Sequence, residues 1–270
     1  MKSIQIELVN QNLILDEVRR IRKLHPKYGT RKLHKSMNQF FFQNNIKMGR
    51  DAFFKLLKWN HLLVKKSKNF HSTTNSKHRF FKNPNRILDL EIKQSEQVWV
   101  SDITYIKVDK KYAYLALVTD AYSKKIVGYR LAHHMRTEIV VDALKMSLKQ
   151  RLYPDRQIIH HSDRGIQYCA PLFTEFAHKH NILLSNTQNS DPYENAIAER
   201  INKTLKYEYG LKETIPNMNT AQKIIKQAVE LYNNHRLHFS LNLQTPKIVH
   251  KIENVKYKSY KKSKINRNLV

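Results

Sequence analysis

The sequence predicts an α/β fold, a mixed sheet flanked by helices, preceded by a small all-α module of helix-turn-helix type. Three observations predict it. Up to Trp59 the apolar residues recur at helical spacing, and from Gln97 they switch to a period of two across three segments joined by short turns. Beyond Ile158, apolar strands alternate with helical stretches, the pattern of a layered α/β domain.

The first helix is expected over residues 4–24, where Ile4, Leu8, Leu15, Val18, Ile21 and Leu24 fall on one face. Pro26 and Gly29 end it. A second helix is expected from Thr30, as N-cap, through Leu33, Met37 and Phe41, and a third opens at Gly49-Arg50-Asp51 and runs to Trp59. A helix, a turn and a basic second helix can enter a major groove, which makes Arg50, Lys55 and Lys58 the candidate DNA-contact residues. A three-helix packing cap has the same pattern.

Residues 65–96 are expected to form a basic linker, a backbone-tracking segment or a plain solvated spacer. From Gln97, one strand sets Val98, Val100, Asp102, Thr104, Ile106 and Val108 on one face. Turns at 109–111 and 120–124 then lead to strands at 112–119 and 125–131, an antiparallel meander. Thr137 caps a helix ending before Pro154. A strand over 158–161, a helix over 171–180, a strand over 182–185 and helices over 195–209 and 220–234 complete the core, taken as residues 97–250. Residues 251–270 are expected to be a loose basic tail.

Composition narrows the partner. The chain has 49 Lys and Arg against 22 Asp and Glu, a net charge of +27, with 41% hydrophobic residues. A folded, strongly basic protein is expected to bind a polyanion, most naturally nucleic acid. The single cysteine, Cys169, excludes a disulfide framework and cysteine-rich zinc modules. No apolar run reaches the ~18 residues of a membrane span, and no signal-like segment opens the chain. These features lead us to expect a cytoplasmic protein without a membrane partner.

Three carboxylates stand in apolar settings. Asp102 interrupts an apolar strand, where an unpaired carboxylate is costly to bury. Asp163 follows the strand at 158–161, and strand ends are where open α/β sheets gather ligands. Glu199 lies among Ala196, Ile197, Ala198 and Ile201 on a helix. Each also has a plain alternative. Asp102 can pair with a basic neighbour, Asp163 can form a turn before Arg164-Gly165, and Glu199 can pair with Lys203 one turn on. Glu194 is an alternative third acid, and Asp120 reads as a structural turn residue. The pairs His133-His134 and His160-His161 lack the cysteine or helical His-Glu spacing of a zinc site.

These residues also carry a resemblance. WVSDITY (99–105), HSDRGIQY (161–168) and DPYENAIAER (191–200) are similar to the three signature blocks of the DDE transposases, with 35 residues between Asp163 and Glu199. YNNHR (232–236), His238, SLN (240–242) and Thr245-Pro246 resemble the C-terminal block of the insertion-sequence-three family, second-frame product. HPKYGTRKL (25–33) resembles the start of that family's helix-turn-helix segment. Ser101 stands where threonine is more usual, and Arg164 and Ile166 vary the second block.

The resemblance implies an RNase H-like, retroviral-integrase-like core with Asp102, Asp163 and Glu199 holding two Mg²⁺ or Mn²⁺ ions, Asp102 between them. It implies cleavage of double-stranded DNA at element ends, followed by strand transfer, with a circular intermediate joining the ends. Lys203 and Lys206, one and two turns beyond Glu199, could hold DNA phosphate or be ordinary solvated lysines, the resemblance pointing to Lys206, and His161 reads as a support behind the site or as a packed strand residue. The implied partners are element-end and target DNA, further copies of the chain, and a first-frame product fused by frameshifting.

Overall fold

The computed structural model describes residues 2–64, 80–188 and 195–252, with side chains from Val9 onward. The expected tail after residue 252, most of the basic linker (Lys65 to Arg79), and the loop acids Asp191 and Glu194 lie outside the described residues.

The helical module contains α1 (Lys2–Leu24), α2 (Thr30–Ser36), α3 (Asn38–Gln43) and α4 (Arg50–Trp59). The single helix expected from Thr30 is two helices. The Ser36 hydroxyl donates back to the Lys32 carbonyl, a bond that bends helices, and Met37 occupies the break fully buried. The bend lets Leu33, Met37 and Phe41 all reach the module's core with Ile14, Val18 and Phe53. Thr30 is helical; the N-cap is Gly29.

The sheet contains β1 (Val98–Val108), β2 (Lys111–Asp120) and β3 (Ile126–Ala132). After α5 (Glu138–Lys149) come β4 (Ile158–Ser162), the short α6 (Ile166–Cys169), α7 (Pro171–Lys179) and β5 (Ile182–Asn186). The strand order is β3-β2-β1-β4-β5. β1–β2 and β2–β3 are antiparallel, and β1–β4 and β4–β5 are parallel. α8 (Ala196–Glu208), α9 (Met218–His235), a 3₁₀ turn (Phe239–Leu241) and α10 (Pro246–Val249) follow. Neither α6 nor the last two elements was expected, since each is only three or four residues long and carries no period.

Alternation along the strands gives the sheet two buried faces. Leu115 and Leu117 turn toward α8 and α9, joining Leu205, Ile225 and Tyr232, while Ala116 and Val118 turn toward α5 and α7, joining Leu144 and Phe173. The α5 side demands a close approach at Gly128 on β3. A Cβ there would lie 2.2 Å from the Ala143 carbonyl and 2.1 Å from the Ser147 hydroxyl.

Residues 80–96 belong to the core surface and are no free spacer. Asn83 and Arg86 bond to Asn186 and Ser185 of β5, and Ile87, Leu90 and Ile92 pack against Val98 and Val100. The helical module is docked as well. His25 Nδ1 lies 3.1 Å from the Tyr209 hydroxyl, and the Leu237 amide donates to the Tyr28 hydroxyl at 2.8 Å.

Candidate active site

The parallel pairing of β1 and β4 builds the centre. Its last register pair is Ser101 with Ser162, so the residues that follow are Asp102 and Asp163. Adjacent strands lie about 4.8 Å apart and register partners share a face, so the fold sets these carboxylates side by side. β4 ends at Ser162, whereas β1 continues against β2, where Asp102 faces Leu117. One acid is therefore gripped in mid-sheet and the other heads a loop, its Oδ1 accepting from the Gly165 amide at 3.0 Å.

α8 lies across these strands. Its N-terminal end is fastened by Asn195, which donates to the Ser101 carbonyl at 3.0 Å. Glu199 follows in the first turn, exposed. Three residues on, Asn202 donates to Asp102 Oδ2 at 2.7 Å, while the Ile103 amide donates to Oδ1 at 2.9 Å. Helical spacing puts Glu199, Asn202 and Lys206 on one face, so α8 presents an acid, an amide and an amine to the sheet.

The electrostatics agree with that placement. Burial, then the Asp163 charge, pushes the Asp102 carboxyl up to about 7 despite the Asn202 and Ile103 bonds, with Glu199 adding to the rise. Glu199 is raised by burial and by Asp163, opposed by Lys203. Burial lowers the Lys206 amine while Asp102 works to raise it. The three acids thus feel one another. Among the described residues, however, no three His, Cys, Asp or Glu side chains close to the spacing of metal ligands. They are electrostatically coupled neighbours, of which Glu199 is the exposed one.

The other expected residues are placed as follows. His161 is fully buried and its Nδ1 lies 2.9 Å from the Ser185 hydroxyl, tying β4 to β5. Its neighbour His160 meets the Ser101 hydroxyl at 2.7 Å, directly beneath Asp102 in the chain. Arg50, Lys55 and Lys58 are exposed on α4, and Arg50 Nε donates to Asp51 at 2.9 Å. Asp120 is structural, accepting from the Glu96 amide and from the Ser123 amide and hydroxyl.

Sequence reasoning missed Asn195 and Asn202. The available signal was helical spacing, which sets Asn195 and Asn202 four residues before and three residues after Glu199 on the same side. Nearby, the buried Tyr168 hydroxyl has no hydrogen-bond partner among the described residues. That phenol is raised by burial and by the charges of Asp102 and Asp163.

Comparison with known proteins follows the same residues. Residues 93–192 and 180–246 match two integrase core domain families. The insertion element IS600 uncharacterized 31 kDa protein of Shigella sonnei is 34% identical over 221 residues, 81% of this chain and 79% of that protein. The chain belongs to the insertion-sequence-three transposases. The transposase for insertion sequence element IS629, also of Shigella sonnei, is 33% identical over 53% of this chain and 47% of its own length. This transposase therefore spans most of the first relative and about half of the second.

Its fold has solved counterparts. The simian T-cell lymphotropic virus intasome, solved with PP2A regulatory subunit B56 gamma, aligns over 90% of this chain and 78% of that one at TM-score 0.52 and 15% identity. The fold of residues 93–246 is thus that of an integrase core domain. No described helix of it is long and apolar enough to cross a membrane.

Proposed function

We propose that this transposase cuts double-stranded DNA at the ends of its element and joins the freed 3′ ends to a new phosphodiester, using Asp102, Asp163 and Glu199 to hold two Mg²⁺ or Mn²⁺ ions. The observation that carries the reading is that Asp102 and Asp163 directly follow the Ser101–Ser162 pair of the parallel strands β1 and β4, with Glu199 electrostatically coupled to both. Three carboxylates gathered with too little positive charge fit a site for hard divalent cations. Such cations, when bound, supply the Lewis acidity that activates the attacking oxygen and stabilises the leaving one.

The chain's own residues do the positioning. Asp102, fixed by Asn202 and by the Ile103 amide, presents the rigid edge of the site between Asp163 and Glu199. Lys203 and Lys206, one and two turns beyond Glu199, would hold phosphate beside it. Joining is an in-line displacement in which one P–O bond forms as another breaks and the leaving oxygen departs with the electron pair. No protein nucleophile is needed.

The remaining assignments belong to the same proposal. Residues 1–64 form the DNA-binding module, with Arg50, Lys55 and Lys58 on its outward helix. Residues 65–96 lead from it into the catalytic core at 97–250, and 251–270 form a basic tail. His161 braces β4 behind Asp163. The protein works as a multimer on DNA in the bacterial cytoplasm, through a circular intermediate, with a first-frame partner or fusion. The net charge of +27 supports the DNA partner.

The test is a strand-transfer assay on labelled element-end DNA with Mg²⁺ or Mn²⁺. It compares wild type with Asp102→Asn, Asp163→Asn and Glu199→Gln. Joined product is expected from wild type alone. Cleavage without joining would indicate a nuclease, and full joining by any variant would remove that residue from the site.

A further inference from the structure

The seam between the helical module and the catalytic core holds a lysine whose setting the reaction does not explain. Lys32 on α2 keeps only 8% of its surface open, yet among the described residues its ammonium makes no hydrogen bond and no ion pair. It lies against two rings, 5.5 Å from the centre of Tyr28 and 5.6 Å from that of Phe239. Rings attract a cation through their quadrupole, most strongly when the contact is desolvated. They do not neutralise it.

The surroundings add positive charge. The Arg31 guanidinium lies over the same Phe239 ring at 5.3 Å, and that ring is 48% exposed. Arg31 is itself exposed and has no carboxylate partner among the described residues. The nearest acid that bears on Lys32 is Glu208, and both its oxygens are taken by Arg236, at 2.8 and 2.7 Å. Arg200, exposed on α8 next to Glu199, is close enough to act on Lys32 as well. Burial first, then Arg236 and Arg200, press the Lys32 amine down to about 7, with Glu208 working against them.

Cations brought together without carboxylate partners are unfavourable until an anion arrives. We infer that Arg31, Lys32 and Arg200 form a seat for a DNA backbone phosphate at this seam, separate from the outward face of α4. The inference rests on the reading that the protein acts on DNA. The seat's position is informative, because Arg200 adjoins Glu199. A strand held there passes from the helical module directly onto the helix that carries the third acid. The contact is to phosphate and reads no base, so it anchors any sequence equally.

The experiment measures binding of the full chain by fluorescence anisotropy across a salt series. The probes are a labelled element-end duplex and an unrelated duplex of equal length. Lys32→Met keeps an apolar stem between the rings and removes the charge. One lost phosphate contact lowers the slope of log K against log salt by about 0.9, which is about an eightfold loss at 0.1 M salt. We expect that loss on both duplexes, restoration by Lys32→Arg, and a similar loss in Arg200→Gln. An unchanged slope in Lys32→Met overturns the seat. So does an unchanged slope in Arg200→Gln, whose exposed side chain has no packing role, even where Lys32→Met lowers the melting temperature. Failure of wild type to bind either duplex would instead defeat the DNA reading itself.

Discussion

Two acidic clusters lie on this sheet, and the fold treats them in opposite ways. At the β1–β4 junction, Asp102, Asp163 and Glu199 are pressed together, and burial with Asp163 pushes Asp102 up to about 7. At the far end of β2, Glu96 and Asp120 are buried more deeply, at 1% and 0% exposed. Burial works to raise Glu96, but His250, Arg151 and the Leu152 and Tyr153 amides overcome it and hold the carboxyl at about 2. Its oxygens accept from Leu152 N at 2.7 Å and from Arg151 Nε at 3.1 Å. Burial alone therefore does not mark a functional acid. The difference is that neighbouring acids raise Asp102, whereas hydrogen-bond donors lower Glu96.

The contrast can be broken most severely at Asp102. Asp102→Asn should lower DNA joining by about 10³-fold or more, since cation-based charge stabilisation is worth several kcal/mol. Its fold should survive, because the substitution relieves repulsion. Saturating Mn²⁺ should raise the melting temperature of wild type and leave that of the variant unmoved. Equal metal-induced stabilisation in both would mean that Asp102 holds no cation.

Glu96→Gln should have the reverse profile. Removing a charge from a saturated buried pair typically costs about 3–5 kcal/mol, readable in urea unfolding, while joining per folded molecule stays near wild type. Glu96 also predicts a pH signature. Its carboxyl is held below the ordinary 4.5, so the stability it contributes is complete above pH 4.5 and disappears as pH falls toward about 2. Wild type should lose stability across that window more steeply than Glu96→Gln, and parallel curves would contradict the assignment.

Asn202→Leu removes the donor that orients Asp102 and should lower joining or metal affinity by about 10- to 100-fold. A titration of Mn²⁺ separates that loss from misfolding, since added metal recovers part of it. Ser123→Ala is the smallest change. It takes one hydroxyl from Asp120, which retains the Glu96 and Ser123 amides, and should cost about 1 kcal/mol with no effect on joining.

Much of this was legible in the chain. The switch from helical to two-residue periodicity located β1 through β3 within a residue or two, and helices with strong periods, such as α4 and α8, were bounded nearly as well. Short elements were not visible. α6 and α10 have four residues each, too few for a period, and are set by where their neighbours leave room. The α2–α3 break was also hidden, because a hydroxyl at Ser36 and a buried Met37 fit a straight helix equally well on paper.

The helical module makes the same point on a larger scale. HPKYGTRKL reads as the entry to a DNA-binding segment. In the fold, His25, Tyr28 and Lys32 from that block face Tyr209, Leu237 and Phe239 of the catalytic core. Those contacts join residues about two hundred positions apart, and no local pattern records them.

What the sequence determined by itself was the identity and order of the acids, the class of sheet that holds them, and the basic character that goes with DNA. Those follow from residue type and short-range period. The tertiary structure alone decided which groups surround each acid. It set Asp163 beside Asp102, put Asn202 on the latter's free oxygen, and gave Glu96 its three donors with His250 beside them. A carboxylate's charge state depends on groups brought near it through space, and that proximity exists only once the chain has folded.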